Sequence, residues 1–79
     1  MFSLFIATID TILFSGQARG VVCPGSDGEL TILAHHTPLV TTLKGGVVRV
    51  LLSNGEEETF PVESGILEVA GNKAVILLP

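Results

Sequence analysis

The sequence predicts an all-β domain, a sandwich or a flattened barrel, and three features carry that prediction. Turn signals recur at short intervals: Ser15-Gly16, Pro24-Gly25-Ser26-Asp27-Gly28, His36-Thr37-Pro38, Lys44-Gly45-Gly46, Ser53-Asn54-Gly55, Glu63-Ser64-Gly65 and Gly71-Asn72. The segments between them run roughly 4–10 residues and are rich in Val, Ile, Leu, Thr and Phe, which suit a pleated, half-buried surface. No segment sustains a helical hydrophobic period. Many short strands at this spacing indicate a sheet that closes or doubles over, which also hides strand edges.

Taken in order, residues 2–9 and 17–23 form strands on either side of a bend at Phe14-Ser15-Gly16. Residues 29–33 and 39–43 flank a corner containing His36 and Pro38. Residues 47–52 and 56–62 form a hairpin, with Asn54-Gly55 supplying the positive φ values of a tight primed turn. Residues 66–70 and 73–78 form a second hairpin around Gly71-Asn72. Alternation places Glu58, Phe60 and Val62 on one face of their strand, and Leu67 and Val69 opposite Ile66, Glu68 and Ala70. The run Val47-Val48-Arg49-Val50-Leu51-Leu52 is apolar on both faces, so it lies between two layers or under a partner.

A chain of 79 residues makes a single domain, residues 1–79, with a thin stability margin. Hydrophobic residues are 47% of it and charged residues 15%, which is apolar for so small a body and excludes disorder. Either the core is rich or a partner covers part of the surface. The net charge is −4, and Arg19, Lys44, Arg49 and Lys73 are scattered, so nucleic acid is not an expected partner. The first fourteen residues lack the basic start of a secretory signal and are too short to span a bilayer. Cys23, the lone cysteine, reads as a small buried apolar residue, and the lack of disulfides favours a reducing compartment.

Candidate chemistry is sparse. His35 and His36 are adjacent on an extended chain and point to opposite sides, so they do not readily grip one ion, and no ligand partner stands at a suitable spacing. Glu56-Glu57-Glu58 reads as a solvated rim beside a turn rather than an acid/base pair. Asp27 bonds local backbone in its turn. No nucleophile elbow, Walker loop or dinucleotide fingerprint occurs. No catalytic, metal or cofactor residues are therefore assigned. A free-standing sandwich that binds a small ligand is the alternative to a protein-contact module, and it would need a concave pocket with convergent polar groups.

Four stretches, in register, are more specific. They are Phe14-Ser15-Gly16; Pro24-Gly25-Ser26-Asp27-Gly28-Glu29-Leu30-Thr31-Ile32-Leu33; His36-Thr37-Pro38-Leu39-Val40-Thr41-Thr42-Leu43-Lys44-Gly45-Gly46; and Glu63-Ser64-Gly65-Ile66-Leu67-Glu68-Val69. Over essentially the whole chain they resemble the N-terminal β-sandwich domain of the epsilon subunit of F-type ATP synthases, the counterpart of the mitochondrial delta subunit. The resemblance implies a ten-stranded flattened β-sandwich or barrel. It implies a non-catalytic rotor subunit of the central stalk, packed against gamma and resting on the c-ring, coupling proton flow to ATP synthesis. It places the chain peripherally on the cytoplasmic face of a bacterial inner membrane, or the equivalent side of another energy-transducing membrane.

Carried over by position, Glu29 is the acidic turn residue facing the c-ring loops, and His36 is the His of the His-x-Pro-Leu corner. Pro38, Leu39 and Lys44 complete that corner and the strand after it. A carboxylate there suits charge-assisted bonds to Arg-bearing loops. Two departures stand out. The family usually carries Gly before the corner His, where this chain has His35. The family usually continues into a two-helix C-terminal domain, where this chain reaches Leu77-Leu78-Pro79, so no nucleotide binding is expected of these residues.

Overall fold

The computed structural model describes residues 1–79, and every regular element in it is a strand. These are β1 (Phe2–Ala7), β2 (Ile12–Ala18), β3 (Gly20–Gly25), β4 (Gly28–Leu33), β5 (Leu39–Leu43), β6 (Gly46–Leu51), β7 (Glu57–Val62), β8 (Gly65–Ala70) and β9 (Lys73–Leu77). The all-β expectation holds, with nine strands rather than ten. Residues 34–38 stay an irregular corner, because His35 turns the backbone left-handed and Pro38 has no N–H to offer a ladder.

One continuous sheet runs β2-β1-β9-β8-β5-β3-β6-β7, with β4 on the other edge of β3. It doubles over between β5 and β3, which share the single pair Gly25↔Leu43. Two facing layers result, β2-β1-β9-β8-β5 and β4-β3-β6-β7. The fold line is pinned by Lys44 N–H donating to Pro24 O at 2.8 Å and Ser26 N–H to Thr42 O at 3.0 Å. Gly25 is required there, because a Cβ would stand 2.6 Å from the Gly28 carbonyl oxygen.

The core lies between the layers, filled by alternate residues of each strand. Leu4, Ile6, Leu67, Val69, Ala74 and Ile76 of the first layer meet Val21, Cys23, Ile32, Val48, Val50 and Val62 of the second in one buried cluster. Edge-to-face stacking of Phe14 on Phe60, centroids 6.4 Å apart, joins β2 to β7 along one side. No side-chain nitrogen or oxygen is buried without a partner.

Both hairpins form, β6 with β7 and β8 with β9, in antiparallel register. The first turn differs from the primed turn expected. Gly55 alone has positive φ, at 89°, and Gly55 N–H donates to Leu52 O while Leu52 N–H donates to Glu56 O. That is a three-residue loop, a turn closed by a glycine bulge. In the second, Gly71 has φ 61° at the first central position of a two-residue loop, where a type II′ turn demands it.

The bend expected at Phe14-Ser15-Gly16 is not a bend. Those residues lie inside β2, paired with Ile6, Phe5 and Leu4 of β1. The reversal comes earlier, where Thr8 Oγ1 accepts from Asp10 N–H and Thr11 N–H at 3.3 and 3.1 Å and Thr8 N–H donates to Thr11 O. A hydroxyl that accepts two N–H groups, with one backbone bond beside it, wins over a Ser-Gly pair as the turn former.

Register also defines two ends. One carries the Thr8–Thr11, Ser26-Asp27, Lys44-Gly45 and Glu63-Ser64 connections. The other carries Met1, Arg19, residues 34–38, the Ser53–Gly55 loop and Gly71-Asn72.

Candidate functional site

The five candidate contact residues do not converge on one point. Glu29 is the second residue of β4, cross-strand from Pro24, and Lys44 follows β5, so both lie at the Ser26-Asp27 end. His36 and Pro38 lie in the corner at the opposite end. Leu39 begins β5 opposite Val69, yet it shares with Glu29 a shallow groove of about 210 Å³ along the open seam between β4 and β5. Leu30 and Thr41 line the same groove. The structure thus joins Glu29 to Leu39 and separates both from His36.

Glu29 is exposed and makes the chain's one ion pair, Arg49 Nη2 to Glu29 Oε2 at 3.9 Å. Arg49 is on β6 and Glu29 on β4, so the guanidinium reaches across β3. It passes Val22, which is paired with Arg49 on one side and Thr31 on the other and is almost fully covered despite facing outward. At 3.9 Å and in water the pair is weak, which leaves the Glu29 carboxylate open to a better cationic partner.

His36 Nδ1 lies 2.7 Å from Thr37 O, and its ring is half-buried near Phe2, Leu33 and Val69. No group of three or more His, Cys, Asp or Glu side chains is arranged to hold a metal ion. Burial pushes the Cys23 thiol up to about 12, so the cysteine is held protonated within the core.

The outer face of the β2-β1-β9-β8-β5 layer is the surface the sequence did not single out. Strand register sets Val40, Glu68, Val75, Phe5 and Ser15 side by side in one row across it. The next row is Thr42, Ile66, Leu77 and Ala7. Val40 is 69% exposed, Ile66 49% and Leu77 51%. One charged side chain, Glu68, interrupts this apolar stripe. The largest depression, about 460 Å³, opens beside it between Phe5, Val75, Gln17 and Lys73. The two-faced apolar reading of residues 47–52 applies to Val47, which is 48% exposed on the other layer. Which apolar residues share a face depends on pairings between distant strands, so local alternation alone did not reveal the stripe.

An exposed apolar stripe of this kind is a feature that contact surfaces share. Comparison with known proteins agrees. Residues 1–78 match the family model described as "ATP synthase, Delta/Epsilon chain, beta-sandwich domain". The chain is 45% identical over 76 residues to the ATP synthase epsilon chain of Chlorobium limicola, covering 96% of this chain and 86% of that one. It is 45% identical over 76 residues to that of Dichelobacter nodosus, covering 53% of the latter. Among solved structures, it superposes with a TM-score of 0.89 on a chain of the Euglena gracilis mitochondrial ATP synthase, at 19% identity. That match covers 95% of this chain and 48% of the Euglena chain, and it shows a common fold. A chain of the Tetrahymena thermophila mitochondrial ATP synthase central stalk and c-ring matches with a TM-score of 0.83, covering 96% and 61% respectively. By sequence and by fold, then, the chain belongs to the delta/epsilon β-sandwich family of ATP synthase subunits.

Proposed function

We propose that this chain is a non-catalytic subunit of the central stalk of a proton-translocating F-type ATP synthase, coupling c-ring rotation to gamma and so to ATP synthesis. The observation that carries the reading is the apolar stripe of exposed Val40, Ile66 and Leu77 beside half-buried Val75 and Phe5 on a member of this family. The epsilon relatives and the c-ring-containing structures with this fold supply the setting.

Residues 1–79 act as one domain. The apolar stripe packs on gamma, since burying such a face is what holds a permanent interface together. Glu29 and Lys44 at one end, Leu39 in the seam, and His36 and Pro38 at the other make the remaining contacts, with the c-ring loops receiving Glu29. The body between them is stiff: of 44 backbone hydrogen bonds, 36 lie within the strand ladders. A closely bonded two-layer sheet transmits load between two partners without unravelling, which is what a rotor element needs. No cofactor or nucleotide enters this role. The chain sits peripherally, on the cytoplasmic face of a bacterial inner membrane or its equivalent.

The test is co-purification with gamma from the same source at micromolar concentration. A stable complex is the expected result. Failure of folded chain and folded gamma to associate overturns the proposal.

A further inference from the structure

His35 is the one non-glycine residue of the chain with a left-handed backbone, at φ 62°. That conformation crowds the Cβ of most residues and is natural to glycine. Something has to hold it, and the structure shows what does. The His35 N–H donates to Asn72 Oδ1 at 3.1 Å. Asn72 Nδ2 donates to the Met1 carbonyl at 2.7 Å. The Asn72 carbonyl in turn accepts from Ser3 N–H at 3.1 Å. One residue therefore ties the β8–β9 turn to the start of β1 and to the corner between β4 and β5. Because its acceptor meets an N–H and its donor meets a carbonyl, the amide has one orientation that satisfies both.

Beyond His35, the corner has little freedom left. His36 Nδ1 is 2.7 Å from Thr37 O, and Pro38 keeps Thr37 extended. Fixing His35 thus fixes the direction in which His36 and Pro38 are presented.

We propose that Asn72 is a positioning residue: it sets the His35–Pro38 corner in the geometry that its partner contact requires, without touching the partner itself. This rests on the reading that the corner meets neighbouring rotor subunits. It also accounts for a histidine at a glycine-like position, since an external hydrogen bond supplies what glycine would supply by its own freedom.

The experiment uses the full chain and four variants: Asn72→Ala, Asn72→Asp, His35→Gly and His36→Ala. Two quantities are read, amide exchange and ring chemical shifts across residues 35–37, and association with a gamma–c-ring subcomplex. Asn72→Ala should speed exchange at the His35 amide and weaken association, each about fivefold, the worth of one ordinary hydrogen bond. The amide of Leu67 in the core should keep its protection. Asn72→Asp retains the acceptor for His35 N–H but loses the donor to Met1 O, so it should slow exchange at the His35 amide relative to Asn72→Ala without restoring the corner in full. His35→Gly relieves the backbone and should shrink the effect of Asn72→Ala made on top of it.

Unchanged corner exchange in Asn72→Ala overturns the proposal, as does an equal loss of protection at Leu67, which would mean general destabilisation. If His36→Ala weakens association and Asn72→Ala does not, the positioning role alone falls. If His36→Ala leaves association intact, the contact reading of the corner falls and the positioning role falls with it.

Discussion

Replacing Val40, Ile66 and Leu77 together by threonine should separate binding from folding. Threonine is β-branched, as Val40 and Ile66 are, and suits a strand at position 77 as well, so the ladders should tolerate it. These side chains are 69%, 49% and 51% exposed, so each has about half its surface still available to a partner. Full burial of such a side chain contributes about 1.5–3 kcal/mol, and half of that is about 1 kcal/mol per residue. Three residues give about 3 kcal/mol, or about a hundredfold in dissociation constant. Titration calorimetry against gamma measures the loss, and urea unfolding of the isolated chain measures the control. Folding stability should fall by less than about 1 kcal/mol, because these residues stand outside the core. The loss should also be insensitive to salt, since no ion pair is involved. A dissociation constant within about twofold of wild type would refute the assignment of this face. So would a loss of folding equal to the loss of binding.

Other substitutions probe the ends and the core. Glu29→Gln should alter folding stability by less than about 0.5 kcal/mol, because its pair with Arg49 is long and exposed, while weakening c-ring association and flattening its salt dependence. Equal salt slopes for the two forms would remove Glu29 from the contact. Leu67→Ala, at a fully buried position, should cost about 2–5 kcal/mol in urea unfolding, enough to leave so small a domain largely unfolded. Cys23 should resist alkylation at pH 8 in the folded chain and react in urea. Its folded pKa, near 12, lies above the ordinary 9.0, so the fold favours the protonated thiol. That contribution is fully present below pH 9 and is lost as pH rises from there toward 12, which alkaline titration of stability would show.

The parts of the fold legible in the sequence were those set by neighbours along the chain. The β6–β7 and β8–β9 hairpins were readable because Gly55 and Gly71 sit where the backbone must reverse. Ser15-Gly16 misled for the complementary reason. Residues that suit a turn need not make one when Thr8, five residues before Leu13, already closes the reversal with its own hydroxyl. The candidate site was readable residue by residue and not as a geometry. The strand over residues 29–33 already sets Glu29 and His36 at opposite ends, but nothing local says that Glu29 shares a groove with Leu39 across the seam between β4 and β5. Asn72 showed itself as a turn residue only. Its bonds to Met1 and His35 span 71 and 37 positions, and no local pattern encodes them.

The parallel pairing of β1 with β9 governs how this protein can be made. Ser3 lies against Lys73 and Ala7 against Leu77, so β1 finds its inner neighbour only in a strand made some seventy residues later. Until then β1 has β2 alone, and a lone hairpin is marginal in water. Completion of that layer must therefore wait until β9 has been made, and closing so long a loop slows it. The face argued above to receive gamma does not exist until β9 is in place. Any contact made through that face therefore follows the joining of β9 to β1.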